Sequence, residues 1–493
     1  MKKLSLVHFT SEVDPFTKTG GLGDVARALP KALEHLGHDV AVVTPYYGSL
    51  DYGVHGLTVA LPELSVPLPD GTSLTATVYR GQLTPNLPVY LIAEPTFFGK
   101  RRGIYGDPED NRRFYVFSLA ALEAAAQLGL TPDIVHCHDW QTGLVPDLLQ
   151  TNYRERFLST RSVFTIHNLA FQFGHNWWEV PAELRDTGRT VLPPWHDQAA
   201  WERVNFAKRA IQRADYLTTV SEQYAEEILT KNFGQDLQHT LVSRRGRLVG
   251  IVNGLDYRDY NPATDPGLHT HYDLTSLDRK YENKRFLQRS FSLPERAHVP
   301  VVGMVSRLSE QKGFDLLLEI IEPLLRQDLQ LVVMGGGDQN YVNAIRKAAK
   351  RHRAKFAANL EFDAAHATQV YAGSDMFLMP SRFEPCGLGQ LISLRYGSIP
   401  IVHATGGLID TIKDYNPGTG RGNGFVFHTY DSRDLLVALT RAVVNFRHPQ
   451  EWRKLVERGM QQSFSWYTPA QLYVALYRHI LRQPTNETTE ASI

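Results

Sequence analysis

The chain has 493 residues, more than a single hydrophobic core usually serves, so two domains are expected. Lysine plus arginine equals aspartate plus glutamate at 52 each, and this neutral balance argues against a nucleic-acid partner. Two cysteines cannot form a disulfide framework, and no apolar stretch reaches the roughly 18 residues that a membrane span requires. The N-terminal apolar run is too short for a signal peptide. A cytoplasmic protein without a membrane partner is expected.

Short apolar runs alternate with helical patterns along the first half of the chain. The predicted strands cover residues 4–9, 39–44, 89–93, 134–137 and 162–166, and the predicted helices cover residues 23–36 and 114–128. Strands that alternate with helices predict a parallel sheet with helices on both faces.

A stretch rich in Pro and Asp, residues 256–266, interrupts this pattern, which then restarts. Strands are predicted at residues 300–305, 330–334, 376–379 and 399–402, with a helix at residues 313–325. The predicted organisation is an N-terminal domain (1–252), a C-terminal domain (253–465), a final helix (466–482) and a disordered polar tail (483–493). Two doubly wound domains in tandem suggest a ligand in the cleft between them.

A glycine-rich segment, Lys18-Thr19-Gly20-Gly21-Leu22-Gly23-Asp24, follows the first strand and opens a helix. Glycines allow the backbone to approach a ligand closely, and free N–H groups at a helix start attract phosphate. The second strand ends in Thr44-Pro45, without the acidic residue of a dinucleotide fold, and Lys18 precedes the glycines, unlike a Walker loop. A plain glycine-rich turn is the alternative interpretation.

Three strand-end segments of the second half carry charge or glycine. Arg307 and Lys312 follow the strand at 300–305, where two cations beside a helix start suit a diphosphate leaving group. Glu384, in the segment 381–390, is suited to holding sugar hydroxyls, and Thr405-Gly406-Gly407 repeats this arrangement after the next strand. The alternative for the two cations is a solvated charged loop.

The segment His136-Cys137-His138-Asp139 suggests a metal site, because His136 and His138 face the same side of a strand. Further zinc ligands at suitable spacing are not evident, so no metal is expected. His167-Asn168 ends the next strand, so these groups can gather at one wall of a cleft. A histidine at a strand end, taken alone, is more often a structural hydrogen-bonding residue.

Together, these segments resemble the bacterial glycogen synthase and plant starch synthase family, whose motifs occur here in order from Lys18 to about Tyr477. The segments that carry the resemblance are Lys18 to Leu22, His138-Asp139-Trp140-Gln141, Ser306 to Gly313, Ser381 to Leu388 and Ala404 to Leu408. The resemblance implies the α/β fold called GT-B, with two Rossmann-like doubly wound domains facing a deep interdomain cleft and a C-terminal helix that crosses back to the first domain. It also implies transfer of glucose from ADP-glucose to the non-reducing end of an α-1,4-glucan such as glycogen, with retention of configuration and without metal or other cofactor.

The resemblance also implies roles for individual residues. The implied catalytic residues are Glu384, His167, Asp139, Arg307 and Lys312. Arg307 and Lys312 would bind the diphosphate, Glu384 the glucosyl hydroxyls, and His167 and Asp139 would line the reacting centre. The implied substrate-binding residues are Lys18, Gly20, Gly21, Tyr105, Trp140, Asn168, Asn253, Phe362, Cys386, Gly387, Leu388, Thr405 and Gly406. Of these, Trp140 and Tyr105 would contact the sugar or the acceptor, and Asn253 would lie at a hinge.

Three positions depart from the family pattern. Ile392 stands where many related retaining transferases carry a second glutamate, which agrees with the starch synthase branch. Gly389 replaces a frequent polar residue, and Phe362 replaces a tyrosine that often stacks on adenine. A hydroxyl contact to the base is therefore lost while stacking can persist.

Several other functions fit parts of the sequence. A transferase that uses UDP-glucose or another acceptor would share the fold, as would a sugar-nucleotide epimerase, against which His138-Asp139-Trp140 argues. A catalytically inactive glucan-binding protein is the non-enzymatic alternative, and the intact charged residues argue against it. A nicotinamide dehydrogenase is disfavoured by the features of the glycine-rich segment.

Overall fold

The computed structural model describes residues 2–48, 55–100, 103–361 and 364–483, and the chain divides into two compact units. Unit 1 runs to Gly254 and resumes at Trp466, and unit 2 comprises Leu255–Ser465. The sequence predicts the first boundary two residues earlier. Of the predicted tail, only Gln483 falls within the described residues, and Phe362 lies outside them.

Unit 1 is built on a nine-stranded sheet with the order β3-β4-β5-β2-β1-β6-β7-β8-β9. The strands are β1 Ser5–Phe9, β2 Asp39–Pro45, β3 Thr58–Pro67, β4 Ser73–Thr84, β5 Leu87–Ala93, β6 Ile134–His138, β7 Arg161–Ile166, β8 Tyr216–Thr219 and β9 Leu248–Gly250. From β5 to β9 neighbouring strands are parallel, whereas β3 pairs with β4 and β4 with β5 in antiparallel fashion. The predicted strands of this unit are parallel to one another, and β3 and β4 are additional, unpredicted strands that pair in antiparallel fashion because the links between β3, β4 and β5 are too short for a crossover.

Helices cover both faces of the unit 1 sheet, and its central strands are therefore apolar along nearly their whole length. The α-helices that precede the unit boundary are α1 Gly21–His35, α2 Asp110–Gln127, α3 Val145–Gln150, α4 Gln198–Trp201, α5 Phe206–Arg213, α6 Glu222–Glu227 and α7 Gln238–Val242. The order of the parallel strands reverses between β1 and β6, and the carboxyl ends of these two strands form the switch point where such sheets bind ligands.

Unit 2 is built on a six-stranded parallel sheet with the order β12-β11-β10-β13-β14-β15. The strands are β10 Val301–Val305, β11 Gln330–Met334, β12 Phe356–Asn359, β13 Met376–Met379, β14 Ile399–His403 and β15 Phe425–Phe427. The helices are α8 Lys280–Ser290, α9 Phe314–Arg326, α10 Gln339–Arg351, α11 Ala364–Gly373, α12 Gly389–Arg395, α13 Gly406–Thr411, α14 Ser432–Phe446 and α15 Pro449–Gln461. The strand order reverses between β10 and β13, which gives this unit its own switch point.

The final helix, α16 Tyr467–Arg482, belongs to unit 1. It packs against α1, and its buried face, which includes Tyr473, Tyr477 and Ile480, completes an apolar cluster with β1 and β2. Among the described residues, no helix is long and apolar enough to cross a lipid bilayer.

Candidate functional site

The switch point of unit 2 contains a cavity of about 160 Å³ at the carboxyl ends of β10 and β13. Its lining consists of strand ends and the turns that follow them: Met304, Val305, Ser306, Arg307, Lys312, Tyr371, Leu378, Met379, Ser381, Glu384, Gly387, Leu388 and Gly389. Five of the residues that the family resemblance implies (Arg307, Lys312, Glu384, Gly387 and Leu388) therefore share one cavity.

A hydrogen-bonded cluster of three side chains forms one side of this cavity. The Lys312 ammonium donates to Oε2 of Glu384 at 2.5 Å, and the Ser381 hydroxyl donates to the same oxygen at 3.0 Å. Glu384 is buried, with 7% of its surface exposed. Its other carboxylate oxygen has no hydrogen-bond partner within the described residues. An ammonium group has three donors, so Lys312 can retain Glu384 and still bind a second anionic group.

The two arginines near this cavity differ in their contacts. Arg382 is held by Glu310 at 2.7 Å and Asp315 at 3.3 Å, with its guanidinium 4.7 Å from the ring centre of Tyr430. Arg307 lines the cavity, is exposed, and makes no ion pair within the part of the chain that the structure describes. Arg307 is therefore the guanidinium available to an incoming anion.

Glycines hold the Glu384 loop through close backbone packing. Gly406 has φ +42°, and a Cβ added there would lie 2.0 Å from the carbonyl oxygen of Glu384. The Gly407 N–H donates to that carbonyl at 3.1 Å. Thr405 and Cys386 are buried, and neither they nor Gly406 line the cavity. Gly406 therefore supports the loop that carries Glu384 through close backbone packing.

In unit 1, the glycine-rich segment is held by Glu12, a buried residue just beyond the carboxyl end of β1. Its carboxylate accepts hydrogen bonds from the Thr19 N–H at 2.5 Å, the Thr19 hydroxyl at 2.6 Å and the Gly20 N–H at 3.3 Å. The Tyr105 hydroxyl also donates to it, at 2.5 Å. The N–H groups of Thr19 and Gly20, predicted to be free for phosphate, are thus bonded to a protein carboxylate.

The remaining groups of this segment lie at the surface. Gly20 and Gly21 are exposed, and Gly20 has an extended backbone with φ −160°, a conformation open to any residue. The Lys18 ammonium pairs with Asp24 at 2.5 Å, and burial raises the pKa of Asp24 despite this partner. Lys18 therefore has a partly exposed charge at the start of α1, where an anionic ligand can reach it.

Asp139 and His167 follow β6 and β7, two neighbouring strands. Asp139 has φ +56°, which is uncommon for a residue with a side chain, and its Oδ1 accepts the His167 backbone N–H at 2.8 Å. Burial raises the pKa of Asp139 to about 7 and lowers the pKa of His167 to about 3. A carboxyl with a raised pKa and an imidazole with a lowered pKa thus follow neighbouring strands at the switch point.

A fully buried histidine cluster (His8, His136 and His138) lies beneath this pair. One nitrogen from each ring lies within 4.8 Å of the others, a spacing that a metal ion could occupy. However, His136 is bonded to Tyr477 at 2.7 Å and Thr165 at 2.5 Å, and both nitrogens of His138 face other histidines at 3.0 Å. A cation would have to displace these hydrogen bonds, so the arrangement favours a neutral hydrogen-bonded cluster.

The other predicted residues of unit 1 have different environments. Trp140, expected to contact sugar or acceptor, is instead a core residue: it is 5% exposed and packs edge-on against Phe114 and Phe206. The side-chain Oδ1 of Asn168 closes a turn by accepting the Ala170 N–H at 3.1 Å. Asn253 is buried, and its Oδ1 has no hydrogen-bond partner within the described residues, which leaves an acceptor available to a ligand.

Sequence reasoning missed Glu12 as an organiser of the glycine-rich segment and Ser381 as a partner of Glu384. The available signal was position, since both residues come shortly after a strand that ends at a switch point. Glu12 and Tyr105 are 93 positions apart, and no local pattern indicates such a contact.

In comparison with known proteins, two family models match most of the chain. The starch synthase catalytic domain matches residues 5–243, and the model called glycosyl transferases group 1 matches residues 287–458. These ranges correspond to the two units, with unit 1 carrying the first match and unit 2 the second.

Relatives and solved structures agree with these matches. The glycogen synthase of Desulforudis audaxviator is 43% identical over 99% of this chain and 98% of its own, and that of Moorella thermoacetica is 44% identical over 98% of each. The catalytic domain of starch synthase IV from Arabidopsis thaliana, solved bound to ADP and acarbose, has a TM-score of 0.88 at 35% identity, covering 98% of this chain and 100% of its own. Sucrose-phosphate synthase from Thermosynechococcus elongatus, covering 97% of this chain and 99% of its own at 18% identity and a TM-score of 0.61, shares the fold.

Proposed function

The chain belongs to the glycogen synthase family of hexosyltransferases, with the GT-B fold, and we propose that it elongates an α-1,4-glucan with glucose taken from ADP-glucose. The observation that carries this proposal for the donor is the cluster of Lys312, Glu384 and Ser381 at the unit 2 switch point. The cytoplasmic location predicted from the sequence stays a prediction.

The donor's diphosphate would bind at the two cations of the unit 2 cavity. Breaking the anomeric bond leaves negative charge on the diphosphate, and fixed positive groups stabilise that charge without reorganisation. Arg307 supplies an uncommitted guanidinium, and Lys312 supplies an ammonium oriented by Glu384. Both residues precede α9, whose N-terminal dipole adds to the positive potential.

Glu384 would hold the glucosyl group beside this diphosphate. Its Oε2 is already occupied by Lys312 and Ser381, so the second oxygen is the one available to accept a sugar hydroxyl. Because the carboxylate is buried and bonded, its position is set before substrate binds. Such preorganisation stabilises the transition state, because the carboxylate does not have to reorganise when the substrate reacts.

His167 and Asp139, at the switch point of unit 1, would contact the accepting glucan. An imidazole with a lowered pKa and a carboxyl with a raised pKa can each form a hydrogen bond with a hydroxyl of the glucan. Retention of configuration would follow if the departing phosphate takes the proton of the accepting hydroxyl, so that attack and departure occur on the same face of the sugar.

The direct test is glucose transfer onto a glycogen primer, with ADP-glucose and UDP-glucose compared at equal concentration and without added metal. We expect a strong preference for ADP-glucose and growth of α-1,4-linked chains. Preference for UDP-glucose would overturn the proposed donor. Glucan binding without transfer from either donor would favour the inactive binding protein.

A variant pair connects this activity to the proposed site. Glu384→Gln retains the volume of the side chain but removes the carboxylate that bonds Lys312, and we expect kcat to fall by about 100-fold. Glu361, an exposed glutamate on the same unit, provides the control as Glu361→Gln, which should transfer glucose at the wild-type rate. Equal rates in the two variants would remove Glu384 from the site.

A further inference from the structure

A row of three histidine side chains leads from His167 into the core of unit 1. Nε2 of His167 lies 3.0 Å from Nδ1 of His138, and Nε2 of His138 lies 3.0 Å from Nδ1 of His8. His8 and His138 are fully buried, and they lie on the neighbouring strands β1 and β6. Each contact joins two ring nitrogens, so each needs one N–H to form a hydrogen bond.

Neutral rings allow only two proton arrangements in this row. In the first, His8 donates to His138, His138 donates to His167, and the remaining proton of His167 is on Nδ1. In the second, His167 donates to His138, His138 donates to His8, and the remaining proton of His8 is on Nε2. Burial lowers the pKa of all three rings, to about 3 for His8 and His167, which supports the neutral state.

The inner end of the row distinguishes the two arrangements. Nε2 of His8 is buried and has no hydrogen-bond partner within the described residues. The second arrangement would leave an N–H there without an acceptor, whereas the first leaves only an unused lone pair. Buried donors without an acceptor are rarer in folded proteins than acceptors without a donor. The first arrangement is therefore favoured.

We propose that His138 and His8 are positioning residues that fix the tautomer of His167, so that His167 presents its Nδ1–H to a hydroxyl or phosphate oxygen of the substrate. His167 then acts as a neutral hydrogen-bond donor and not as a proton acceptor. Asp139 does not orient this ring, because its carboxylate bonds the His167 backbone N–H. The contact between His167 and substrate rests on the proposed function, whereas the tautomer is a property of the free protein.

The tautomer is measured directly in the full-length free protein by ¹⁵N NMR with labelled histidine, because protonated and bare ring nitrogens have distinct shifts. A His167→Gln variant identifies the signal. We expect His167 to be protonated at Nδ1 in the wild type. Protonation at Nε2 in the folded wild type would overturn the proposal, whatever the enzyme's activity.

Two substitutions at His138 separate positioning from packing. His138→Leu removes the donor, so we expect the His167 signal to shift towards the Nε2-protonated form and kcat to fall roughly tenfold, the loss of one hydrogen bond, with less change in KM. His138→Asn retains an N–H donor near the former Nδ1 and should restore both the Nδ1-protonated signal and most of kcat. An unchanged His167 tautomer in a folded His138→Leu variant would contradict the proposal.

Further variants keep the test decisive if His138→Leu does not fold. His8→Leu removes the inner donor, further from the substrate, and should also loosen the preference for Nδ1, whereas His8→Asn should maintain it. His136→Asn is the matched control, since His136 is equally buried on the same strand face but bonds Tyr477 and Thr165 outside the row. It should leave the His167 signal unchanged. A shift of this signal equal to that in His8→Leu would mean that general packing, and not the hydrogen bonds of the row, sets the tautomer of His167.

Discussion

At the scale of single residues, the contact between Lys312 and Glu384 joins two groups that the proposed function assigns to different parts of the donor. Their 2.5 Å hydrogen bond gives a neutral pair before substrate binds. The Ser381 hydroxyl shares the carboxylate, so removal of the lysine does not leave Glu384 without a donor. Loss of Lys312 should therefore damage catalysis much more than folding.

Lys312→Ala is predicted to lower kcat by about 100- to 1,000-fold, the usual effect of removing a fixed donor from a developing oxyanion. The free energy of unfolding should fall by about 1.5–3 kcal/mol, because the lost hydrogen bond joins two charged groups. Initial rates of glucose transfer and urea denaturation measure the two effects. Lys347→Ala, at an exposed position on α10, is the control and should match the wild type in both. A wild-type rate in the Lys312 variant would exclude a role in the transfer step.

The Asp139 carboxyl makes stability depend on pH. Its native pKa of about 7 lies above the ordinary aspartate value of 3.8, so between these pH values the folded state binds more protons than the unfolded state. The free energy of unfolding then falls as pH rises through this window. Asp139→Asn cannot ionise, and we expect its stability relative to the wild type to rise by about 4 kcal/mol from pH 4 to pH 8.

Urea denaturation of both proteins at each pH checks this prediction. The histidines are present in both proteins, so their opposite contribution cancels in the difference. A difference between variant and wild type that stays constant from pH 4 to pH 8 would contradict the raised pKa of Asp139.

At the scale of elements, the central strands are predictable because each is a short, continuous apolar run buried on both faces. The run 330–334, for example, matches β11 in full. The edge strands β3 and β4 are missed because their exposed and buried residues follow no strict alternation, with Val59 exposed and Leu64 buried. The contacts that organise the site join distant elements, as His8 and His138 do across 130 positions, and local patterns do not indicate them.

The turn before α13 is predicted to set the position of the Glu384 loop. An alanine side chain at Gly406 would place its Cβ 2.0 Å from the Glu384 carbonyl oxygen, so one of the two loops must move. Displacements of about 1 Å near reacting groups can cost roughly 100-fold in rate. We therefore expect Gly406→Ala to lower kcat by at least about tenfold, measured as initial rates of glucose transfer.

Gly420→Ala is the matched control for this element. Gly420 also has a left-handed backbone, with φ +65°, but a Cβ there would meet no atom closer than 3.9 Å. Both variants should lose about 1 kcal/mol of stability from backbone strain, and Gly406→Ala should lose more because its Cβ also displaces the Glu384 carbonyl. A rate loss of equal size in both would attribute the effect to strain, and the proposed support of Glu384 would be wrong.

At the scale of the whole molecule, the last helix of the chain, α16, belongs to unit 1, although unit 2 lies between it and the rest of unit 1 in the sequence. Residues 466–482 are separated by more than 200 positions from the rest of unit 1, and yet α16 contributes to the same apolar cluster as β1 and β2. The helical periodicity of this segment is visible in the sequence, whereas its packing partner is implied there only by family resemblance. Part of the hydrophobic core of unit 1 therefore comes from the C-terminal helix of the chain.

Tyr477→Phe removes one oxygen atom from α16 and tests how much this helix contributes to the stability of unit 1. The Tyr477 hydroxyl is bonded to Nδ1 of His136 at 2.7 Å, and the substitution leaves that buried ring nitrogen without a partner. We expect a loss of about 1–3 kcal/mol in the free energy of unfolding of unit 1. Amide hydrogen exchange should accelerate in β1 and β6 and remain unchanged in β10 and β11, because the perturbation lies within unit 1.

Tyr467→Phe, at a position 60% exposed on the same helix, should alter the exchange rates of neither set of strands. Faster exchange in β10 and β11 as well would mean that the two units unfold together, and the assignment of α16 to the stability of unit 1 alone would fail.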